Sequence, residues 1–155
     1  TTALVRCLVD AGVPDDVVVI DTGISTIAPT AAALAGLDAV LHVPIHAGRR
    51  YRAAADRLAE QTWGTHADEL ETSRMLVIAP DAVDMAQATD PPAPPGGERR
   101  GALDPIDRNS PNYSPTGATG RPSLATRAKG AALLEAMLAD IMEAIGSPGG
   151  GPPPG

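Results

Sequence analysis

One histidine and three carboxylates fall between positions 66 and 71, namely His66, Asp68, Glu69 and Glu71. If His66 lies in a loop and Glu71 in the helix that follows, both side chains can point at one centre. A neutral imidazole nitrogen and a carboxylate oxygen are ligands that suit Zn²⁺ or Mn²⁺. The same residue types are common at a helix start, where the helix dipole favours a carboxylate. The spacing therefore leaves two interpretations open: a metal or acid–base site, or helix capping and solvated charge.

A second candidate is an apolar run, residues 17–20, that ends in the sequence Asp-Thr-Gly at 21–23. A β-branched run without alternation is typical of a strand buried on both faces of a parallel sheet. Asp-Thr-Gly after a strand also marks an aspartic protease half-site, in which two Asp residues share one proton and activate water. Those enzymes are almost entirely β, whereas this chain is rich in alanine and helical patterns. We favour a strand-to-helix turn with a capping residue at Ser25 or Thr26.

Two further histidines, the only tryptophan and the only cysteine complete the candidates. His42 and His46 lie at the end of a second predicted strand and either bind a metal or form a polar loop edge. Trp63 either lines a pocket beside His66 or anchors the loop through its large buried area. Cys7 is predicted to be a small core residue.

Alternating helical and strand patterns predict an α/β layer fold that positions these residues. The predicted strands cover residues 17–20 and 39–43, and the predicted helices cover residues 2–12, 29–37, 50–61, 66–79 and 123–146. The last helix has the clearest pattern, with one apolar stripe made of Leu124, Ala128, Ala131, Leu134, Leu138, Ile141 and Ile145.

Composition excludes several classes of protein. The 155 residues suit one domain, and the net charge of −7 argues against a nucleic-acid groove. A single cysteine predicts a reducing, cytoplasmic compartment, and no apolar run approaches the roughly 20 residues of a membrane span. We expect a single domain over residues 1–146, with a Pro-rich irregular segment at 89–122 and a disordered Gly/Pro tail at 147–155.

Two segments resemble motifs of the creatininase (creatinine amidohydrolase) family. Residues 64–76, GTHADELETSRML, resemble its His-Ala/Gly-x-x-x-Glu-Thr-Ser-x-x-Leu motif. Residues 114–126, SPTGATGRPSLAT, followed by Lys129-Gly130, are similar to its Ser-Pro-x-Gly-x-x-Gly-x-Pro-x-x-Ala-Thr segment before the last helix. The motifs occur in the family's order, and the resemblance covers about residues 2–146.

The resemblance implies a three-layer α/β/α fold with a mainly parallel sheet and a homohexameric assembly. It also implies a two-metal site with Zn²⁺ or Mn²⁺ that hydrolyses amide bonds, cyclic ones in creatininase itself. Carried over by position, Glu71 would be a metal ligand and His66 the acid–base group that handles the leaving nitrogen. Trp63 is the candidate substrate contact beside them.

Two departures from the family pattern bear on activity. The first metal motif, Glu-x-His with a following Asp, has no counterpart and would lie before Thr1, so we expect the N-terminal part of the domain to be missing. The second motif, Asn-Gly-His-Gly-Gly-Asn, falls at residues 21–26, where Gly23 replaces the ligand histidine and Asp21 is a candidate substitute ligand. On the resemblance as a whole, we predict a metal-dependent amidohydrolase acting on a small amide, with no nucleic-acid or membrane partner. The alternative is an inactive relative that serves as a binding or assembly scaffold.

Overall fold

A computed structural model describes residues 2–12, 17–37, 40–93, 104, 106–110 and 113–146. Two compact units divide the chain: unit 1 comprises residues 1–52 and 137–155, and unit 2 comprises residues 53–136. The predicted tail at 147–155 and part of the Pro-rich segment lie outside the described residues. None of the helices in the described ranges is both long and apolar enough to cross a membrane.

Unit 1 is built on two parallel strands, β1 (Val17–Asp21) and β2 (Val40–Pro44). A parallel pair needs a crossover, which here contains a 3₁₀ turn at Ile24–Thr26 and the helix α2 (Ile27–Leu34). Helix α1 (Thr2–Asp10) contacts β1 and α2. These elements confirm the α/β class and the strand-to-helix turn after β1, while the three-layer arrangement stays a prediction. Thr26 is the N-cap residue of α2, but its side chain does not cap the helix as expected, because the hydroxyl bonds to Asp21 and to the Gly23 carbonyl.

Parts of two further helices complete unit 1. Helix α3 (Arg49–Leu58) begins in this unit, and helix α5 (Arg127–Gly146) ends in it. Asp140 of α5 caps the start of α3, because its carboxylate accepts the N–H groups of Arg50 at 3.2 Å and Tyr51 at 2.8 Å.

The core of unit 1 is mostly aliphatic and includes one tyrosine. Burial of each large apolar side chain contributes on the order of 1.5–3 kcal/mol. The buried apolar residues of this unit are Val5, Leu34, Val43, Tyr51 and Met137.

Unit 2 holds helix α4 (Glu69–Ile78) against the first turns of α5. A Cβ atom at Gly130 would lie 1.9 Å from the carbonyl oxygen of Ser73, so only glycine permits this contact. The Ser73 hydroxyl is fully buried, donates to the Glu69 carbonyl at 2.6 Å and accepts the Thr126 N–H at 3.0 Å. The serine of the first motif and the glycine after the second therefore pack the two motifs together.

Three expectations from the sequence are wrong in detail. Helix α4 begins at Glu69 and not at residue 66, because Asp68 is its N-cap. The apolar stripe predicted on α5 is not its buried face: the buried residues are Gly130, Leu133 and Met137, whereas Leu138 and Ile145 of the stripe are exposed. The close contact at Gly130 turns that face toward α4. Cys7 is exposed and is not a core residue.

Candidate functional site

The loop of residues 62–67, which contains the start of the first motif, is hydrogen-bonded to the second motif. Its residue His66 pairs with Thr119 through an antiparallel bridge. The Thr65 N–H donates to the Thr119 carbonyl at 2.9 Å, and the Thr119 N–H donates to the His66 carbonyl at 2.8 Å. The hydroxyl oxygens of the two threonines lie 3.0 Å apart. The backbone of His66 is therefore held by the second motif.

His66 and Glu71 lie beside each other at the start of α4. The His66 Nδ1 atom is 3.5 Å from the Glu71 Oε2 atom, and the side chains are 56% and 42% exposed. The same Oε2 atom accepts the N–H of Ala67 at 2.6 Å. The structure thus presents an accessible imidazole next to a carboxylate that the backbone holds in place. Such a pair can transfer a proton to or from a bound molecule.

Ala67 has a φ of +45°, a left-handed conformation that residues other than glycine seldom adopt. We expect Ala67→Gly to leave the free energy of unfolding within about 0.5 kcal/mol of the wild type, because relief of strain is offset by the greater chain entropy of glycine. We expect Ala67→Val to lower it by about 1–2 kcal/mol, because a β-branched residue is strained there. Urea unfolding measures both, and a fully stable Ala67→Val protein would contradict the conformation.

The other two carboxylates of the cluster have different surroundings. Asp68 caps α4, because its Oδ1 atom accepts the Glu71 N–H at 2.9 Å. The Glu69 side chain is 0% exposed, and it accepts the N–H groups of Glu60 at 3.0 Å and Gln61 at 2.7 Å. The Lys129 Nζ atom lies 2.5 Å from the Glu69 Oε1 atom. Helix capping therefore accounts for Asp68 and a buried ion pair for Glu69, which leaves Glu71 as the accessible carboxylate.

The pKa values of Glu69 and Lys129 are both shifted from their usual values. Burial alone would raise the pKa of Glu69, but the Lys129 ammonium and the two backbone N–H groups outweigh it and hold the pKa below its usual value. Burial would lower the pKa of Lys129, but the Glu60 and Glu69 carboxylates raise it. Sequence reasoning assigned Lys129 no role, although it is the only lysine of the chain and follows the second motif.

In unit 1, the other candidate residues meet at the carboxyl ends of β1 and β2. The buried Asp21 places its Oδ2 atom 3.1 Å from the His42 Nε2 atom. Its Oδ1 atom accepts the Gly23 N–H at 3.1 Å and the Thr26 hydroxyl. Burial would raise the pKa of Asp21, but the bonds from Thr26, Gly23 and His42 lower it. Asp21 as a metal ligand stays a prediction, and the structure shows it hydrogen-bonded through both oxygens.

His46 is bonded through both ring nitrogens. Its Nε2 atom lies 3.0 Å from the Thr22 carbonyl oxygen, which only accepts, so Nε2 carries a proton. Its Nδ1 atom lies 3.4 Å from the Tyr51 hydroxyl. This arrangement favours the loop-edge interpretation of His46. Trp63 is half-buried, and its contact with a substrate stays a prediction.

The donor atoms fit a divalent metal in type but not in number. Within the described ranges, no group of three or more His, Cys, Asp and Glu side chains is arranged to hold a metal ion. The candidates form two pairs, His66 with Glu71 and His42 with Asp21, each of one nitrogen and one oxygen donor. Catalytic zinc sites use three protein ligands. The described residues alone therefore do not complete a two-metal centre.

A family model of creatinine amidohydrolases, the creatininases, matches residues 3–145. The chain belongs to the creatininase family. A solved creatinine amidohydrolase (creatininase) is similar at 26% identity with a TM-score of 0.65, over 94% of this chain and 60% of that one. A manganese creatininase gives 22% identity and a TM-score of 0.66, over 93% and 60% of the two chains. A mutant creatininase complexed with creatine is similar at 24% identity with a TM-score of 0.63, over 93% of this chain and 61% of that one.

Family membership confirms the resemblance that rested on the two motifs, and the solved creatininases show the same fold. Comparison with curated protein sequences gave no match. The chain spans about 60% of the length of the solved creatininases. The His66–Thr119 bridge and the Gly130–Ser73 contact join the segments that carry its two motifs.

Proposed function

We propose that the protein is a creatininase-type amidohydrolase that cleaves the C–N bond of a small amide. The observation that carries this proposal is the accessible His66 imidazole, 3.5 Å from the Glu71 carboxylate, on a loop bound to the second family motif. Creatinine and other cyclic amides are the first substrate class to test, because one similar structure is a creatinine amidohydrolase and another contains creatine.

In this proposal His66 supplies the proton that the departing nitrogen needs. Hydrolysis forms a C–O bond from water, breaks the C–N bond and leaves one proton on nitrogen, so a positioned acid lowers the barrier to departure. The Glu71 carboxylate lies beside Nδ1 and stabilises the ring when it is protonated. The Ala67 N–H fixes that carboxylate, so the carboxylate does not have to reorganise during the reaction.

Glu71 is also the proposed metal ligand, with Asp21 as the weaker candidate. A bound Zn²⁺ or Mn²⁺ would supply Lewis-acid activation of water and of the amide carbonyl. Each described pair offers only two donors, so the remaining ligands would come from residues beyond those described here.

A catalytically inactive scaffold is the second candidate function. Gly23 stands where the family motif has a ligand histidine, and the described residues contain no three-ligand group. In that case the α/β frame would serve assembly or ligand binding.

The main proposal, the amidohydrolase, also includes assembly as a homohexamer and a cytoplasmic location.

Metal analysis of the purified protein, and of any longer gene product that contains this chain, tests the proposal. We expect stoichiometric Zn or Mn in the wild type and its loss in Glu71→Ala. Glu135→Ala, which removes an exposed glutamate from α5, is the matched control and should retain the metal. Absence of metal from every protein after incubation with Zn²⁺ or Mn²⁺ would overturn the metal-dependent mechanism and favour the scaffold.

A further inference from the structure

The side chain of Gln61 bonds to three groups that surround the candidate site. Its Nε2 atom donates to the Asp68 Oδ2 atom at 2.8 Å. Its Oε1 atom accepts the N–H of Glu69 at 3.2 Å and the N–H of Arg121 at 3.0 Å. One amide group therefore contacts the N-cap of α4, the first residue of α4 and the second family motif.

These bonds close the base of the loop at residues 62–67. The Gln61 N–H also donates to the Glu69 carboxylate at 2.7 Å, so Gln61 and Glu69 are bonded in both directions. Gly64 and Gly120 pack against the amide: a Cβ atom at either position would come within 2.9 Å of a Gln61 side-chain atom. The loop is thus pinned where it leaves Gln61 and where it enters α4.

The Gln61 contact reaches the reactive pair through Asp68. The Asp68 carboxylate accepts the Gln61 amide through Oδ2 and the Glu71 N–H through Oδ1. Rotation of Asp68 would release the first turn of α4, which carries Glu71. Asp68 also follows Ala67 directly in the chain, and the Ala67 N–H holds the Glu71 carboxylate beside His66.

We propose that Gln61 is a positioning residue that sets the distance between the His66 imidazole and the Glu71 carboxylate. The proposal rests on the proposed function for its catalytic consequence and on the hydrogen bonds alone for its structural one. Gln61 acts through Asp68 and the loop base, and none of its contacts requires it to touch the substrate.

Two variants of Gln61 and one control test this role. Gln61→Met removes the donor and the acceptor at similar length. Gln61→Glu keeps an acceptor for the Glu69 and Arg121 N–H groups but replaces the donor to Asp68 with a carboxylate oxygen that repels the Asp68 carboxylate, so it breaks the Asp68 contact specifically. Gln87→Met is the matched control, because the Gln87 Nε2 atom donates to the Asp84 Oδ2 atom at the same 2.8 Å on the exposed surface of unit 2.

The first readout is hydrogen exchange of the Ala67 amide, which reports its bond to Glu71 without any turnover. We expect exchange about tenfold faster or more in both Gln61 variants and unchanged in Gln87→Met. The second readout is steady-state hydrolysis, for which we expect kcat to fall about 10- to 100-fold with KM within about twofold. Both are measured at a temperature at which circular dichroism shows every variant folded.

Wild-type exchange and wild-type kcat in the folded variants would overturn the proposal. So would a lower melting temperature with no change at the Ala67 amide, because that result describes a merely structural residue. If the wild type hydrolyses no amide, the proposed function fails, and the Ala67 exchange rates alone decide whether Gln61 positions the pair.

Discussion

His66→Ala is expected to lower kcat for amide hydrolysis by about 100- to 10,000-fold, the usual contribution of a positioned general acid. The imidazole is the accessible proton donor beside Glu71, and without it the leaving nitrogen must take its proton from water. The KM should change much less, because the proton is needed in the transition state and not for substrate binding.

The fold should survive this substitution. The His66 side chain is 56% exposed, and its bonds to Thr119 are made by the backbone, which alanine keeps. Thr62→Ala is the matched control, because Thr62 is an exposed residue of the same loop. A His66→Ala protein with kcat within about threefold of the wild type would exclude His66 as the acid.

Lys129→Met is expected to lower the free energy of unfolding by about 3 kcal/mol, because it leaves the buried Glu69 carboxylate without its cation. The Glu69 side chain is 0% exposed and that of Lys129 is 12% exposed, so water does not replace the lost contact. The N–H groups of Glu60 and Gln61 still bond to the carboxylate, which limits the loss.

Urea unfolding of three variants checks this expectation: Lys129→Met, the double variant Lys129→Met with Glu69→Gln, and Arg57→Met. The double variant should recover part of the stability, because the amide that replaces the carboxylate carries no charge. Arg57→Met removes an exposed cation from α3 in the same unit and should change the stability by less than about 0.5 kcal/mol. A loss below about 1 kcal/mol in Lys129→Met would contradict the buried pair.

The same pair gives a signed pH dependence. The folded-state pKa of Glu69 is depressed, so its contribution is present above the unfolded pKa of about 4.3 and is lost as the pH falls through the folded value. The pKa of Lys129 is raised, so its contribution is present below about pH 10.4 and is lost as the pH rises further. Stability of the wild type should therefore fall more steeply below pH 4 than that of the double variant.

The parts of this fold that local pattern determines could be predicted from the sequence. The β-branched run at 17–20 predicts a strand of a parallel sheet, and it lies in the parallel pair as β1. Its expected burial on both faces is wrong for the described structure, because residues 17–19 are half-buried and Ile20 is exposed. A loop residue and a first-turn helical residue can point at one centre, which is one of the two interpretations of the spacing, and the His66 Nδ1 and Glu71 Oε2 atoms lie 3.5 Å apart.

The remaining features depend on contacts between distant segments. The buried face of α5 follows from the approach of Gly130 to Ser73, which no helical periodicity contains. Glu69 and Lys129 are 60 residues apart in sequence, so the spacing within residues 66–71 could not show that one carboxylate is buried and paired. Likewise, the bond between Asp21 and His42 arises because β1 and β2 are paired strands, in which His42 lies opposite Val19.

Mass spectrometry of the products formed from creatinine and a panel of small cyclic amides tests the central claim most directly. The protein is assayed after incubation with Zn²⁺ or Mn²⁺, as this chain and as any longer gene product that contains it. We predict a product heavier than its substrate by one water, formed by the wild type and lost in His66→Ala. Absence of a hydrolysis product from every amide, or equal product from His66→Ala, would contradict catalysis by the His66–Glu71 pair.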